Sequence, residues 1–152
     1  MSTFYERGKD DYYKSYILGI KEPKTEPLIF GSLVHSILAG ENVNWQEEIK
    51  QLNKYPQETY KRIIESIIAR VPKCSKSELK LFREFSELGF SIFAGIDGED
   101  DGLLTEYKTG ANFWDEKKVE ESEQLTHYLL AYNKEIPYRL ISISSTNGKF
   151  KE

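Results

Sequence analysis

Apolar positions along this chain follow two rhythms, one near the 3.6-residue turn of a helix and one near the two-residue pleat of a strand. At helical spacing stand Leu33, Val34, Ile37 and Leu38, which predict a short helix from about Gly31 to Gly40, with His35 inside it. Ile63, Ile64, Ile67, Ile68 and Val71 form a second stripe and predict a helix over Glu58 to Val71, stopped by Pro72. Upstream, an aromatic-rich segment predicts a helix near Thr3 to Leu18, closed by Gly19 and by Pro23 and Pro27. Ser75 with Glu78 three residues later has the spacing of a capping box, and predicts a helix that buries Leu79, Phe82, Phe85 and Leu88 and ends at Gly89.

The strand rhythm dominates farther on. Phe90 to Asp97 and Leu103 to Thr109 predict a hairpin around a turn cluster at Gly98 to Gly102. A long helix is predicted from about Asp115 to Tyr132, followed by a β-branched strand over Tyr138 to Thr146. Helices, a strand pair, a helix and a strand in that order predict a mixed α/β (α+β) architecture, with a small central sheet flanked by helices.

Strand geometry then sorts the chemistry. Glu106 and Lys108 share one face of their strand, while Leu103, Thr105 and Tyr107 point to the other. A turn with an even number of residues would bring Asp97 to the face of Glu106 and Lys108, together with Phe93 and Gly95. Ile92, Ala94 and Ile96 would then face the core. Two carboxylates held a few ångströms apart repel unless a cation joins them, and oxygen ligands of this kind suit Mg²⁺ or Mn²⁺ rather than zinc. A lysine beside them can hold or deprotonate an attacking water and offset the charge of a phosphorane-like transition state, which fits phosphodiester hydrolysis. An ordinary hairpin with a cross-strand ion pair is the plainer alternative for the same residues.

Composition narrows the setting. The chain has 152 residues, 39% of them hydrophobic and 13% aromatic, enough apolar mass for a folded core and room for a single domain over 1–152. Multidomain motors and synthetases do not fit. A net charge of -4 argues against wholesale coating of a polyanion, yet the charge is uneven. Lys50 to Lys80 carries eight basic residues against three acidic ones, and reads as a phosphate-facing surface. Gly95 to Glu123 carries ten acidic against three basic, and invites a divalent cation. A solvated face accounts for either run equally well. Cys74 is the only cysteine, so an intrachain disulfide and a four-cysteine metal cluster are excluded, and a reducing cytoplasm is expected, that of a host cell if the chain is viral. No run approaches the ~20 apolar residues that span a bilayer, and Met1 to Lys24 lacks the apolar core of a signal peptide, so no membrane partner is expected.

Four segments in order, FGSLVHSIL at Phe30 to Leu38, AGID at Ala94 to Asp97, LLTEYKTG at Leu103 to Gly110 and QLTHYLLAY at Gln124 to Tyr132, resemble the motifs of RecB-like nucleases of the PD-(D/E)xK superfamily. The opening Ser2 to Ile20 is similar to the aromatic helix that starts many such domains. The resemblance implies a restriction-endonuclease-like core. It makes His35, Asp97 and Glu106 metal ligands, with the Tyr107 carbonyl as a further one, and Lys108 the catalytic lysine. Gln124 and Tyr128, four residues apart on one helical face, match the QxxxY element that orients substrate phosphate and the metal site. No proline precedes Asp97, but RecB-like members commonly have a glycine two residues before the aspartate instead, as Gly95 stands here, and Gly98 replaces the usual following arginine.

The implied activity is Mg²⁺- or Mn²⁺-dependent hydrolysis of DNA, as an exonuclease, in recombination, repair or viral genome processing. Lys61 and Arg62 would bind substrate, with other basic residues of Lys50 to Lys80 and with Arg7, Lys9 and Lys14 tracking the backbone. Tyr12, Tyr13 and Tyr16 could stack exposed bases or pack the first helix on the core. Two other readings stay open: a catalytically inactive nucleic-acid-binding or regulatory module with the same fold, and a small-molecule or RNA phosphodiesterase. A protein partner or a homo-oligomer is compatible with the length.

Overall fold

The structure, a computed structural model, describes residues 10, 13–20, 23–132 and 137–152. Most of the expected helix over Thr3 to Leu18, with Arg7, Lys9 and Tyr12, lies outside the described residues, as does the Tyr16 side chain. Within that segment Tyr13–Ile17 forms one π-helical turn, and Gly19 follows in the left-handed region at φ 65.

Helix α1 spans Glu26–Leu38 and so begins five residues earlier than the apolar rhythm suggests. Pro27 does not close a preceding element. It sits in the first turn of α1, where its missing N–H costs nothing and its fixed φ suits the helix. Helix α2, Trp45–Glu48, is a single turn, and α3, Gln57–Arg70, matches the isoleucine stripe. Ile63, Ile64 and Ile67 are buried along α3, whereas Ile68 stands outside the stripe and is partly exposed.

The capping-box expectation fails. Lys76–Phe85 is a strand, β1, paired antiparallel with β2, Phe90–Asp100. Leu79, Leu81, Arg83 and Phe85 alternate as its half-buried face, and Leu79 and Leu81 pack on a core that a helix would have left uncovered. Ser75 caps no helix: its N–H and hydroxyl bind Asp100 Oδ1 and the Glu99 carbonyl at 2.7 and 3.2 Å, clipping β1 to the end of β2. Gly89, at φ 67, turns the hairpin. Phe82 and Leu88, expected in the core, are exposed, and Phe82 faces its cross-strand partner Phe93 on the open side of the hairpin.

Strand β2 runs on to Asp100, and only Asp101 and Gly102 form the turn to β3, Leu103–Gly110. Both have positive φ, 47 and 85, the twist that a two-residue hairpin requires. The expected long helix is broken at Glu121 and Ser122 into α4, Glu116–Glu120, and α5, Glu123–Tyr132. The expected closing strand is β4, Tyr138–Ser144, and a short antiparallel β5, Phe150–Lys151, follows beyond the expected range. The sheet order is β1-β2-β3-β4-β5, with β3 and β4 parallel and the other pairs antiparallel. A parallel pair needs a crossover, and α4 and α5 supply it.

Alternation along β3 and β4 divides two cores. Tyr107, Ile141 and Ile143 face Phe30, Val34, Ile64 and Ile67 of α1 and α3, while Leu104 and Leu140 face Leu125, Tyr128 and Ala131 of α5. The result is a five-stranded mixed sheet between helical layers, the restriction-endonuclease-like arrangement expected from the sequence. Among the described residues no helix is long and apolar enough to cross a membrane.

Two glycines let these layers meet. A Cβ at Gly31 would lie 3.0 Å from Thr109 Oγ1, so α1 approaches β3 closely there. At Gly98 a Cβ would lie 2.5 Å from Cys74. That explains why glycine and not a larger residue follows Asp97. Gly98→Ala is expected to lower stability by about 1–3 kcal/mol through overpacking, with part of the loss recovered by adding Cys74→Gly. Urea denaturation of the two variants checks this, and an unchanged Gly98→Ala would refute it.

Candidate active site

The ladder between β2 and β3 holds only three residue pairs, ending at Gly98 opposite Thr105. Beyond it β2 stays with β1 and leaves β3, which opens a cleft of about 780 Å³ between β2, β3, α1 and α5. Asp97 is the first residue past the last pair. Its Oδ2 accepts the Tyr107 backbone N–H at 2.7 Å, taking the place of the carbonyl that a continued ladder would have offered.

His35 reaches the same carboxylate from α1. Gly31, four residues earlier on the same helical face, allows the close approach that sets its position. His35 Nδ1 lies 3.0 Å from Asp97 Oδ1, and the imidazole meets the Tyr107 ring edge-on. The hydrogen bond to Asp97 raises the histidine pKa above its ordinary value, against the opposing effect of burial.

Glu106 is 5% exposed. Its Oε1 accepts from Lys108 Nζ at 2.6 Å and its Oε2 from the Tyr128 hydroxyl at 2.9 Å. Burial first, and the charge of Asp97 second, push its pKa up, while Lys108 and Tyr128 act in the other direction. Lys108 also donates to the Gln124 side-chain oxygen, and Gln124 donates in turn to the Tyr128 hydroxyl. The i, i+4 pair on α5 therefore closes a ring of hydrogen bonds with the acid and the base of β3. Burial and the neighbouring Glu106 raise the Tyr128 pKa, so its hydroxyl stays protonated as a donor.

Six of the residues singled out from the sequence, His35, Asp97, Glu106, Lys108, Gln124 and Tyr128, thus meet in one cleft. Tyr107 enters through its backbone, while its side chain lies in the core and donates to the Pro72 carbonyl at 2.7 Å. Lys61 and Arg62 are not brought there. They lie on the exposed side of α3, away from the cleft, and Arg62 binds the Glu58 carbonyl of its own helix. Within the basic run, Lys50 pairs with Glu47 and Lys76 with Glu99. Two residues at or beside the cluster escaped the sequence reading. Trp114 lies under the Lys108 ammonium at 5.4 Å from its ring centre. Glu78 lines the cleft from β1 with φ 53, an uncommon backbone conformation for a residue other than glycine, and no local signal marks it.

Every carboxylate oxygen of Asp97 and Glu106 already has a protein partner. Accordingly, among the described residues no three His, Cys, Asp or Glu side chains are grouped as a preformed metal cage. The donor set nonetheless suits a divalent cation. Burial first and the charge of Asp97 second raise the Glu106 pKa, so a cation between the two carboxylates would relieve both, and an imidazole stands beside them.

The sequence pattern that describes the PD-(D/E)XK nuclease superfamily matches residues 3–141. A solved structure of a candidate exonuclease from Eubacterium rectale has the same fold, with a TM-score of 0.64 and 13% sequence identity over 95% of this chain. The chain spans 64% of the length of that protein. No curated protein matches the sequence significantly. From the extent of the family match and the mixed sheet that carries it, the chain belongs to the PD-(D/E)XK nuclease superfamily.

Proposed function

We propose that this chain, as one nuclease module over 1–152, is a Mg²⁺-dependent deoxyribonuclease that works as an exonuclease in DNA recombination, repair or viral genome processing, in the cytoplasm of its cell or host. The observation that carries the reading is the convergence of an acid from β2, an acid and a lysine from β3, a histidine from α1 and a Gln/Tyr pair from α5 on one open cleft. Membership of a nuclease superfamily supports nucleic acid as the substrate, and the general use of divalent metals in that superfamily supports the cation. The exonuclease assignment draws on the fold shared with the candidate exonuclease and on the RecB-like motifs.

Asp97 and Glu106 would hold the cation, with His35 and the Tyr107 carbonyl completing its shell. Bound there, Mg²⁺ supplies Lewis acidity to the scissile phosphate and a more acidic water. Lys108 is held against Glu106 by the bond to Gln124, where its ammonium can orient the attacking water and offset charge that develops on the phosphoryl oxygens. Tyr128 fixes the Glu106 carboxylate through its second oxygen. One observation favours the inactive-module alternative: both carboxylates are fully partnered within the chain, so an ion must compete with His35 and Lys108.

Cleavage of end-labelled single-stranded, duplex and branched DNA tests the assignment. With Mg²⁺ or Mn²⁺ the wild type should cut, EDTA should stop it, and Asp97→Ala or Lys108→Ala should lower the rate on the order of 10² to 10³. Metal-independent cutting, or full activity in both variants, would overturn the catalytic roles. DNA binding with no cleavage under any metal would favour the inactive module.

Electrostatics allow a test that needs no substrate. The Glu106 pKa lies above its ordinary 4.5 in the folded chain, so the fold binds that proton more tightly than the unfolded chain does. In EDTA, stability therefore falls as pH climbs from about 4.5 through the raised value, where Glu106 becomes charged. His35, also raised, adds a later loss as pH passes upward through its own folded value. Thermal melts across pH should show the first loss in wild type but not in Glu106→Gln. Saturating Mg²⁺ should restore about 2–3 kcal/mol at a hundred times its dissociation constant in wild type alone. Equal slopes and equal metal responses in the two proteins would sink this account.

A further inference from the structure

A second cavity, of about 330 Å³, adjoins the candidate active cleft, and Pro27 and Thr109 line both. It sits at the carboxyl ends of the parallel strands β3 and β4, where Gly110 and Ser145 meet through the bond from Ser145 N–H to the Gly110 carbonyl at 2.8 Å. Open sheets of this kind bind ligands outside the carboxyl ends of their parallel strands. Phe30, Thr109 and Gly110 come from the motif segments, but none of the candidate metal-binding or catalytic residues lines this cavity.

Its walls are aromatic. Tyr60 is buried, with Tyr55 and Phe30 at 5.6 and 6.4 Å between ring centres, and the Lys54 ammonium stands over Tyr55. Set among these rings is one carboxylate. Glu26 accepts from the Tyr60 hydroxyl and from the Lys54 backbone N–H at 2.8 Å, so its position is fixed. Those bonds hold the Glu26 pKa below its ordinary value, and burial together with the bond to Glu26 pushes Tyr60 up to about 12. The cavity therefore presents flat apolar faces and a charged acceptor at neutral pH.

Such a site discriminates between the two halves of a nucleotide. A phosphate is repelled by the fixed carboxylate, whereas a base can stack on the rings and donate N–H groups to it. Distance suits this as well. Gly110 lies two residues beyond Lys108 on the same strand, roughly 7 Å at the usual strand rise, which is within reach of a nucleotide whose phosphate is held at Lys108.

We propose that this cavity is a nucleobase subsite, taking one unstacked base of the strand whose phosphate lies among Asp97, Glu106 and Lys108, with guanine preferred because its adjacent N–H donors meet Glu26. The placement of the strand rests on the nuclease reading above, whereas base binding itself needs no turnover. Lys54, at the rim, faces the backbone that leads into the cavity.

The test titrates dGMP, dTMP and the base-free deoxyribose 5-phosphate against ¹⁵N-labelled full-length protein in EDTA. The subsite requires amide shifts at Lys54, Gly110 and Ala111 with dGMP, smaller ones with dTMP and none with the sugar phosphate. Ala111→Trp, an exposed rim position that fills the mouth, should weaken dGMP about tenfold or more. Glu26→Gln, which keeps an acceptor for Tyr60 and Lys54, should erase the preference for dGMP over dTMP. Equal shifts with the sugar phosphate, or dGMP binding untouched by Ala111→Trp, would overturn the subsite. Base binding intact in a protein that cuts no DNA under any metal would uphold the subsite and defeat the nuclease reading instead.

Discussion

Where β2 parts from β3, a backbone donor has to be satisfied by something other than sheet. Tyr107 N–H is that donor and the Asp97 carboxylate is its acceptor, at 2.7 Å. Without the separation there would be no cleft, because a continued ladder would bring the two strands to the usual spacing of about 4.8 Å. Without the carboxylate, the separation would leave a partly buried N–H unpaired, a cost of about 1–3 kcal/mol. One side chain thus makes the opening tolerable to the fold and lines the cleft that results. Its other oxygen meets His35, so the same residue ties α1 to the sheet.

The cluster built on this opening balances its own charge. Asp97 has His35 and Glu106 has Lys108, so neither carboxylate is left alone in a poorly hydrated place. Breaking such a partly buried pair costs more than forming it gains, which keeps all four groups in register. The same balance makes the site a competitive one for a cation, since binding must loosen contacts that the protein already makes. Burial first, and the charge of Asp97 second, still hold the Glu106 pKa above its ordinary value against Lys108 and Tyr128.

Topology places the third wall. Since β4 is parallel to β3, the chain must cross the sheet between them, and α5 is carried over the face where Glu106 and Lys108 project. Gln124 and Tyr128 meet that acid and base because the crossover lays one turn of α5 directly above them. The carboxyl ends of the same parallel pair form the edge of the aromatic cavity beside Glu26. One connection therefore serves both the charged cleft and its apolar neighbour.

How much of this could be read from the chain follows from the range of each interaction. Relations over a few residues were legible: Glu106 and Lys108 on one side of a strand, Gln124 and Tyr128 on one side of a helix, and the isoleucines of α3. These depend on local dihedral geometry alone. Lys76 to Phe85 fits both a helical and a pleated period, and only the free edge of β2 and the uncovered Leu79 and Leu81 settled it as a strand. Lys61 and Arg62 belong to a basic run whose side of the molecule is set by how α3 packs, which charge counting does not contain. Sequence by itself determined which groups were candidates for chemistry and which of them were neighbours along an element. Tertiary structure decided which elements lie next to one another, since that depends on long-range burial and on the strand separation at Asp97.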